Sequence, residues 1–181
     1  MTGEIIVSEE TISDVAFSFL YREHHPRVLA YFLRRFDQET AIDCAAEVFT
    51  ITWRRFEDLP EGRDAVRWIY GACRNVARNQ KRSRRRLGRL RARLVQQPVN
   101  RPVQPDAELV RRSEEQLVTF ALGQLRFEDQ EILRLVAWEQ LPRAEIAHIL
   151  GCSPHALDQR VQRAVTRLRN EFNKSLPIEG A

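Results

Sequence analysis

The chain has 181 residues, 43% hydrophobic and 30% charged, with a formal net charge of +4. That length allows one domain or two small ones, each with a modest core, and the composition is that of a folded globular protein rather than a disordered one. No apolar run approaches the ~18–20 residues that span a bilayer, and the opening MTGEIIVSEE lacks a signal peptide's basic and apolar regions, so no membrane insertion is expected and the cytoplasm is the expected compartment.

In chain order, residues 1–13 read as an N-terminal tail. Helical periodicity then begins. Asp14 to Phe36 places Val15, Phe19, Val28, Phe32 and Phe36 on one side, with a bend expected at Pro26. Glu39 to Phe56 places Ile42, Ala45, Ala46, Phe49, Trp53 and Phe56 on a second stripe, which makes Phe49, Trp53 and Phe56 core candidates. Leu59-Pro60-Glu61-Gly62 is a turn signal. Asp64 is placed to cap a third helix, in which Val66, Ile69, Tyr70, Cys73 and Val76 recur at three-to-four spacing before it runs into KRSRRRLGRLRAR.

Charge is distributed unevenly. Residues 1–64 hold 13 acids and 7 bases, residues 65–105 hold 12 bases and no acid, and residues 106–181 hold 12 acids and 10 bases. A middle block so basic, continuing from an apolar helix, suits a polyanionic partner. The stretch QQPVNRPVQPD follows, and Pro98, Pro102 and Pro105 disfavour helix there. Residues 87–106 therefore form the expected linker. A second helical block occupies 107–175, with helices at about Ala107–Leu122, Phe127–Trp138, Arg143–Leu150 and Ser153–Phe172, before a tail at 176–181. The fold class is all-α: two small helical domains, 14–86 and 107–175, joined by a flexible linker.

The cysteines, Cys44, Cys73 and Cys152, are odd in number and far apart, and fit no zinc or redox spacing. His148 and His155 have no companion ligand at helical spacing. No metal, cofactor or catalytic group is expected.

The stretch EIAHILGCSPHALDQRVQRAVTRLR is a helix-turn-helix. Ile146, Ala147 and Leu150 face inward on its first helix, and Gly151 stands where a helix end takes left-handed backbone. Ser153 is a good N-cap, and Pro154 suits the first helical position. The second helix is expected to bury Leu157, Val161, Ala164, Val165, Leu168 and Phe172. His155, Asp158, Gln159, Gln162 and Arg163 fall opposite, with Arg160 at the margin, as a helix laid in a major groove requires. Gln159 and Gln162 suit adenine edges and Asp158 a cytosine amine. Arg160, Arg163 and Arg167 suit phosphates.

FLYREHHPRVLAYFLRRF, AIDCAAEVFTITWRRF and AVRWIYGACRNVARNQKRSRRR, in that order, resemble region 2 of the sigma-70 family, and more closely its extracytoplasmic-function (ECF) sigma factors. ALGQLRFEDQEILRLVAWEQLPRAEIAHILGCSPHALDQRVQRAVTRLR is similar to their region 4. The resemblance covers about 14–86 and 117–172. It implies a non-enzymatic subunit that binds core RNA polymerase, at its clamp helices and flap, and promoter DNA. An anti-sigma factor, which can hold such a protein at the membrane, is a further implied partner. Polymerase binding maps onto Asp43, Glu47, Thr50 and Arg54, where Ala46 replaces the family's frequent Gln. Recognition and opening of the −10 element map onto Asp58, Arg63, Arg67, Trp68, Arg74, Asn75, Arg78, Lys81 and Arg82. Melting a duplex needs phosphate contacts and pockets for unstacked bases; Arg67, Arg74, Asn75 and Arg78 share a helix face, with Trp68 beside it. Recognition of the −35 element maps onto His155, Asp158, Gln159, Arg160, Gln162, Arg163 and Arg167. Asp158 departs from the family's usual basic or small polar residue, so it must face a base edge, pair with an arginine or point away. The family's linker threads a polymerase channel, a role that residues 87–106 would inherit.

Two other classes are open to such a sequence. A free-standing helix-turn-helix regulator would need a sensor or dimerisation domain in place of the basic, aromatic helix. A nucleic-acid enzyme would need a metal cluster or phosphate loop, for which Asp43 and Glu47 alone do not suffice.

Overall fold

A computed structural model of the chain describes residues 9–94 and 114–176. The described residues are helical, with no strand among them: α1 (Glu9–Leu33), α2 (Gln38–Arg54), a single 3-10 turn (Phe56–Asp58), α3 (Arg63–Leu94), α4 (Glu114–Gln124), α5 (Phe127–Trp138), α6 (Arg143–Ile149) and α7 (Pro154–Ser175). The chain divides into two compact units, Met1–Arg82 and Ser83–Ala181.

In the first unit, α2 begins where Asp37 accepts from the Thr40 N–H at 3.0 Å, with Glu39 in the first turn against the positive helix end. Its buried stripe is Ala41, Cys44, Ala45, Val48, Phe49 and Thr52. This differs from the expected stripe: Ala46 is exposed, as are Ile42 (50%) and Trp53 (44%). Thr52 tolerates the inward place because its hydroxyl donates to the Val48 carbonyl at 2.8 Å, so a polar residue is buried with its hydrogen bond made. Small Ala41 and Cys44 complete the face. In α1, Val28, Tyr31 and Phe32 are buried as the periodicity requires. Val15 and Phe19 are not: they are 51% and 67% exposed. Half-buried Phe17 takes the inward place, with its ring 4.8 Å from Trp53 and 5.6 Å from Phe56. Helix α1 continues through Pro26. Buried His24 lies in the same helix, and desolvation lowers its pKa below the ordinary 6.5, with Glu23 opposing and Arg27 assisting.

The turn before α3 is as the sequence indicates, with Gly62 in left-handed backbone at φ 62°. Asp64 lies inside the first turn of α3 rather than at its cap, paired with Arg67 at 2.6 Å. Ile69, Tyr70, Cys73, Val76 and Ala77 bury the inner face. The helix runs on to Leu94, so 87–94 of the expected linker is helical; Pro98, Pro102 and Pro105 lie outside the described residues.

In the second unit, Ala121, Leu122, Leu125, Ile132, Leu135, Ile146, Ala147, Leu157 and Ala164 form the core. Buried Gln130 closes the end of α4: its Nε2 donates to the Gly123 and Leu125 carbonyls at 3.1 and 2.8 Å, while its Oε1 accepts from Arg134 at 3.0 Å. The Gly123 carbonyl belongs to the last turn of α4, where the helix itself offers no partner, and Leu125 directly follows that helix; the amide supplies a donor to both. The expected start of α4 at Ala107 falls outside the described residues, whereas α5, α6 and α7 lie where the periodicity puts them.

Candidate nucleic-acid interface

The turn between α6 and α7 is built from local chemistry. Gly151 takes φ 63°, its N–H donates to the His148 carbonyl at 3.0 Å, and the Cys152 N–H donates to the Ala147 carbonyl at 2.9 Å. Ser153 then caps α7, accepting from the Ala156 N–H at 3.2 Å, and Pro154 occupies the first turn. Leu157 and Ala164 bury the inner face and Val161, Leu168 and Phe172 are half-buried. Val165, expected inside, is 40% exposed. Its neighbour Ala164 is buried in its place.

The outer face of α7 presents His155, Asp158, Gln159, Arg160, Gln162 and Arg163, all exposed. They are not independent. Gln159 Nε2 and His155 Nε2 are hydrogen-bonded at 3.0 Å, and Arg163 Nε donates to the Gln159 carbonyl at 3.2 Å. The margins are tied by ion pairs. Arg143 Nη1 donates to Asp158 Oδ1 at 2.8 Å. Arg167 Nη1 donates to Asp129 Oδ1 and Oδ2 at 2.9 and 2.8 Å.

These pairs bear on two residues assigned to the −35 element. Asp158 takes the second of its three options, pairing with an arginine. Arg167 joins α7 to buried Asp129 in the first turn of α5. Sequence reasoning missed Arg143 and Asp129. An uncompensated acid on a helix bound for DNA was a signal to look for a base on the preceding helix; nothing local pointed to Asp129, 38 residues from its partner.

In the first unit, Asp43, Glu47, Thr50 and Arg54 share one exposed stripe of α2. The Thr50 hydroxyl donates to the Ala46 carbonyl at 2.8 Å. Exposed Ile42, Ala46 and Trp53 give the helix an outer surface that is apolar as well as acidic. On α3, Asn75 and Arg82 are exposed, while Arg67, Trp68, Arg74, Arg78 and Lys81 are half-buried, opposite the buried Ile69–Cys73–Val76 side. Arg63 is exposed at the start of α3 and Asp58 is exposed in the 3-10 turn. Trp68 is thus neither sealed in the core nor free in solvent. Among the described residues no group of three His, Cys, Asp or Glu could hold a metal ion, and no helix is long and apolar enough to cross a membrane.

Comparison with known proteins follows the same division. A family model for Sigma-70 region 2 matches residues 20–87, and one for Sigma-70, region 4 matches residues 115–168. The curated proteins give no match. Among solved structures, the chain is similar to the sigma factor RpoE in complex with the anti-sigma factor NepR from Bartonella quintana, at 20% identity over 87% of this chain and 97% of that one, with a TM-score of 0.64. It is also similar to CnrH in complex with the cytosolic domain of CnrY, at 21% identity over 89% of this chain and 90% of that one, with a TM-score of 0.61. At such identities the likeness is one of fold.

Proposed function

The chain belongs to the sigma-70 family, as an ECF-type sigma factor for transcription initiation, and we propose how its surfaces divide that work. The first unit holds core polymerase through Asp43, Glu47, Thr50 and Arg54, with the clamp helices as their counterpart. Its α3 face takes the −10 element: Arg63, Arg67, Arg74, Arg78, Lys81 and Arg82 hold phosphates, and Asp58, Trp68 and Asn75 receive unstacked bases. Such contacts offset the stacking and pairing lost when the duplex opens. The second unit docks on the flap and lays α7 in the −35 major groove. There Gln159, Gln162 and His155 meet base edges, and Arg160 and Arg163 meet phosphates.

The observation that carries this reading is the two-sided character of α3. One side is apolar and buried; the other joins bases with an amide and a half-exposed indole, which suits an opened strand better than a ligand or dimer partner. The chain acts without catalysis of its own, in the cytoplasm, and residues 87–106 are the linker that enters the polymerase channel. The two solved relatives bind an anti-sigma factor and a cytosolic protein domain respectively; a comparable inhibitor is a natural partner for the apolar outer surface of α2.

Charge reversal at Asp43 and Glu47 tests the division. Co-purification of the Asp43→Lys, Glu47→Lys chain with core polymerase is expected to fall at least tenfold, while binding to −35 duplex is retained. Unchanged co-purification would refute the assignment. Tight operator binding by a free dimer, without polymerase, would favour a stand-alone regulator.

A further inference from the structure

On the second unit, an exposed ion pair links α6 to α7. Arg143 opens α6, and Asp158 lies 15 residues on, in the second turn of α7; they meet at 2.8 Å with side chains 52% and 54% exposed. Pairs this exposed add little to stability, so holding the fold together does not account for it. Its position does. At ~100° per residue, Asp158 stands about 60° around α7 from His155 and about 40° from Gln162. It therefore sits on the margin of the face that would meet DNA, where a carboxylate is repelled by phosphate. Arg143 cancels that charge. The same bond draws the guanidinium toward Asp158, although only one of its five N–H donors is used there.

We infer that Arg143 is a DNA phosphate ligand and that Asp158 is its intramolecular competitor, so that the pair restrains unspecific affinity. This rests on the −35 reading of α7. A phosphate captures Arg143 only by displacing Asp158 or sharing the guanidinium with it. On a cognate duplex, base contacts from Gln159 and Gln162 hold α7 in register long enough for that exchange. On any other duplex the pair stays closed and contributes no net charge. Asp158 thus acts on specificity as a positioning residue, without reading a base.

The test uses the full-length chain, with one duplex taken from the upstream region of its own mapped start sites and one scrambled duplex, titrated across salt. Asp158→Asn keeps an acceptor and removes the charge. It is expected to tighten scrambled-duplex binding roughly three- to tenfold, to steepen its salt dependence by about one unit of slope, and to tighten cognate binding less. Adding Arg143→Ala is expected to abolish that gain. If the gain survives in the double variant, Asp158 merely repels phosphate and the inference is overturned. A changed preference at one base pair makes Asp158 a base reader and overturns it equally. A wild-type chain that does not distinguish the two duplexes removes the −35 reading itself.

Discussion

Arg167→Ala is expected to loosen the second unit rather than simply to remove a DNA contact. The Asp129 side chain is 10% exposed and accepts from Arg167 at 2.8 and 2.9 Å. Without the arginine, a nearly buried carboxylate loses its charged donor. Breaking a fully buried pair from one side costs about 3–5 kcal/mol. Arg167 is 51% exposed, so water screens the pair on that side and the expected cost falls to about 1–2 kcal/mol. Asp129→Asn leaves the charge on the water-facing partner and is expected to cost less. Hydrogen exchange followed by mass spectrometry on the full-length chain reports each unit separately. Peptides of α5 and α7 are expected to exchange roughly 5–30-fold faster in Arg167→Ala, with peptides of α1–α2 unchanged. Unaltered exchange in α5 and α7, with only a shallower salt dependence of DNA binding, would refute the structural role and restore Arg167 as a plain phosphate ligand.

Ser153→Ala removes the cap of α7 and is expected to cost about 1 kcal/mol, read as faster exchange at the amides of the first turn of α7 and weaker −35 binding. His24 sets a pH dependence for the first unit. Its folded pKa lies below 6.5, so between the two values the unfolded chain binds more protons; stability is full above about 6.5, falls as pH drops through it, and levels off below the folded value. Urea midpoints followed by fluorescence of Trp53 and Trp68 in a Trp138→Phe background are expected to show that fall, and His24→Gln to flatten it. Trp68→Ala and Asn75→Ala are expected to lower promoter opening, read as permanganate reactivity of −10 thymines in the polymerase complex, at least fivefold while leaving polymerase co-purification intact.

Helix existence was legible because each core stripe repeats at three to four residues, and the α6–α7 turn was legible because glycine, serine and proline each have one physical use there. The inward face was less so. Thr52 looks polar in the sequence but satisfies its hydroxyl on the Val48 carbonyl, so it is buried in α2 while Ile42 and Trp53 are exposed. In α1, Phe17 and Phe19 are equally apolar, and only the arrangement of Trp53 and Phe56 selects Phe17 for the interior. The continuation of α3 to Leu94 was obscured by charge, since a run of arginines reads as a solvated tail until the helix carrying it is seen. At the candidate site, the polar face of α7 was visible from periodicity, Val165 apart, but the ion-pair partners were not. Arg143 and Asp129 lie 15 and 38 residues from the side chains they hold, and no local spacing relates them.

Selection of promoters for core polymerase by this chain, through two separate DNA contacts, is open to a direct test. Transcription of fragmented genomic DNA by core polymerase with and without the chain, followed by sequencing of transcript 5′ ends, tests it most directly. The expected result is a set of start sites that depends on the chain, preceded by two shared sequence elements at a fixed spacing, with the upstream element lost as a requirement when the face of α7 is disabled by Gln159→Ala and Gln162→Ala. Start sites identical to those of core polymerase alone would contradict it.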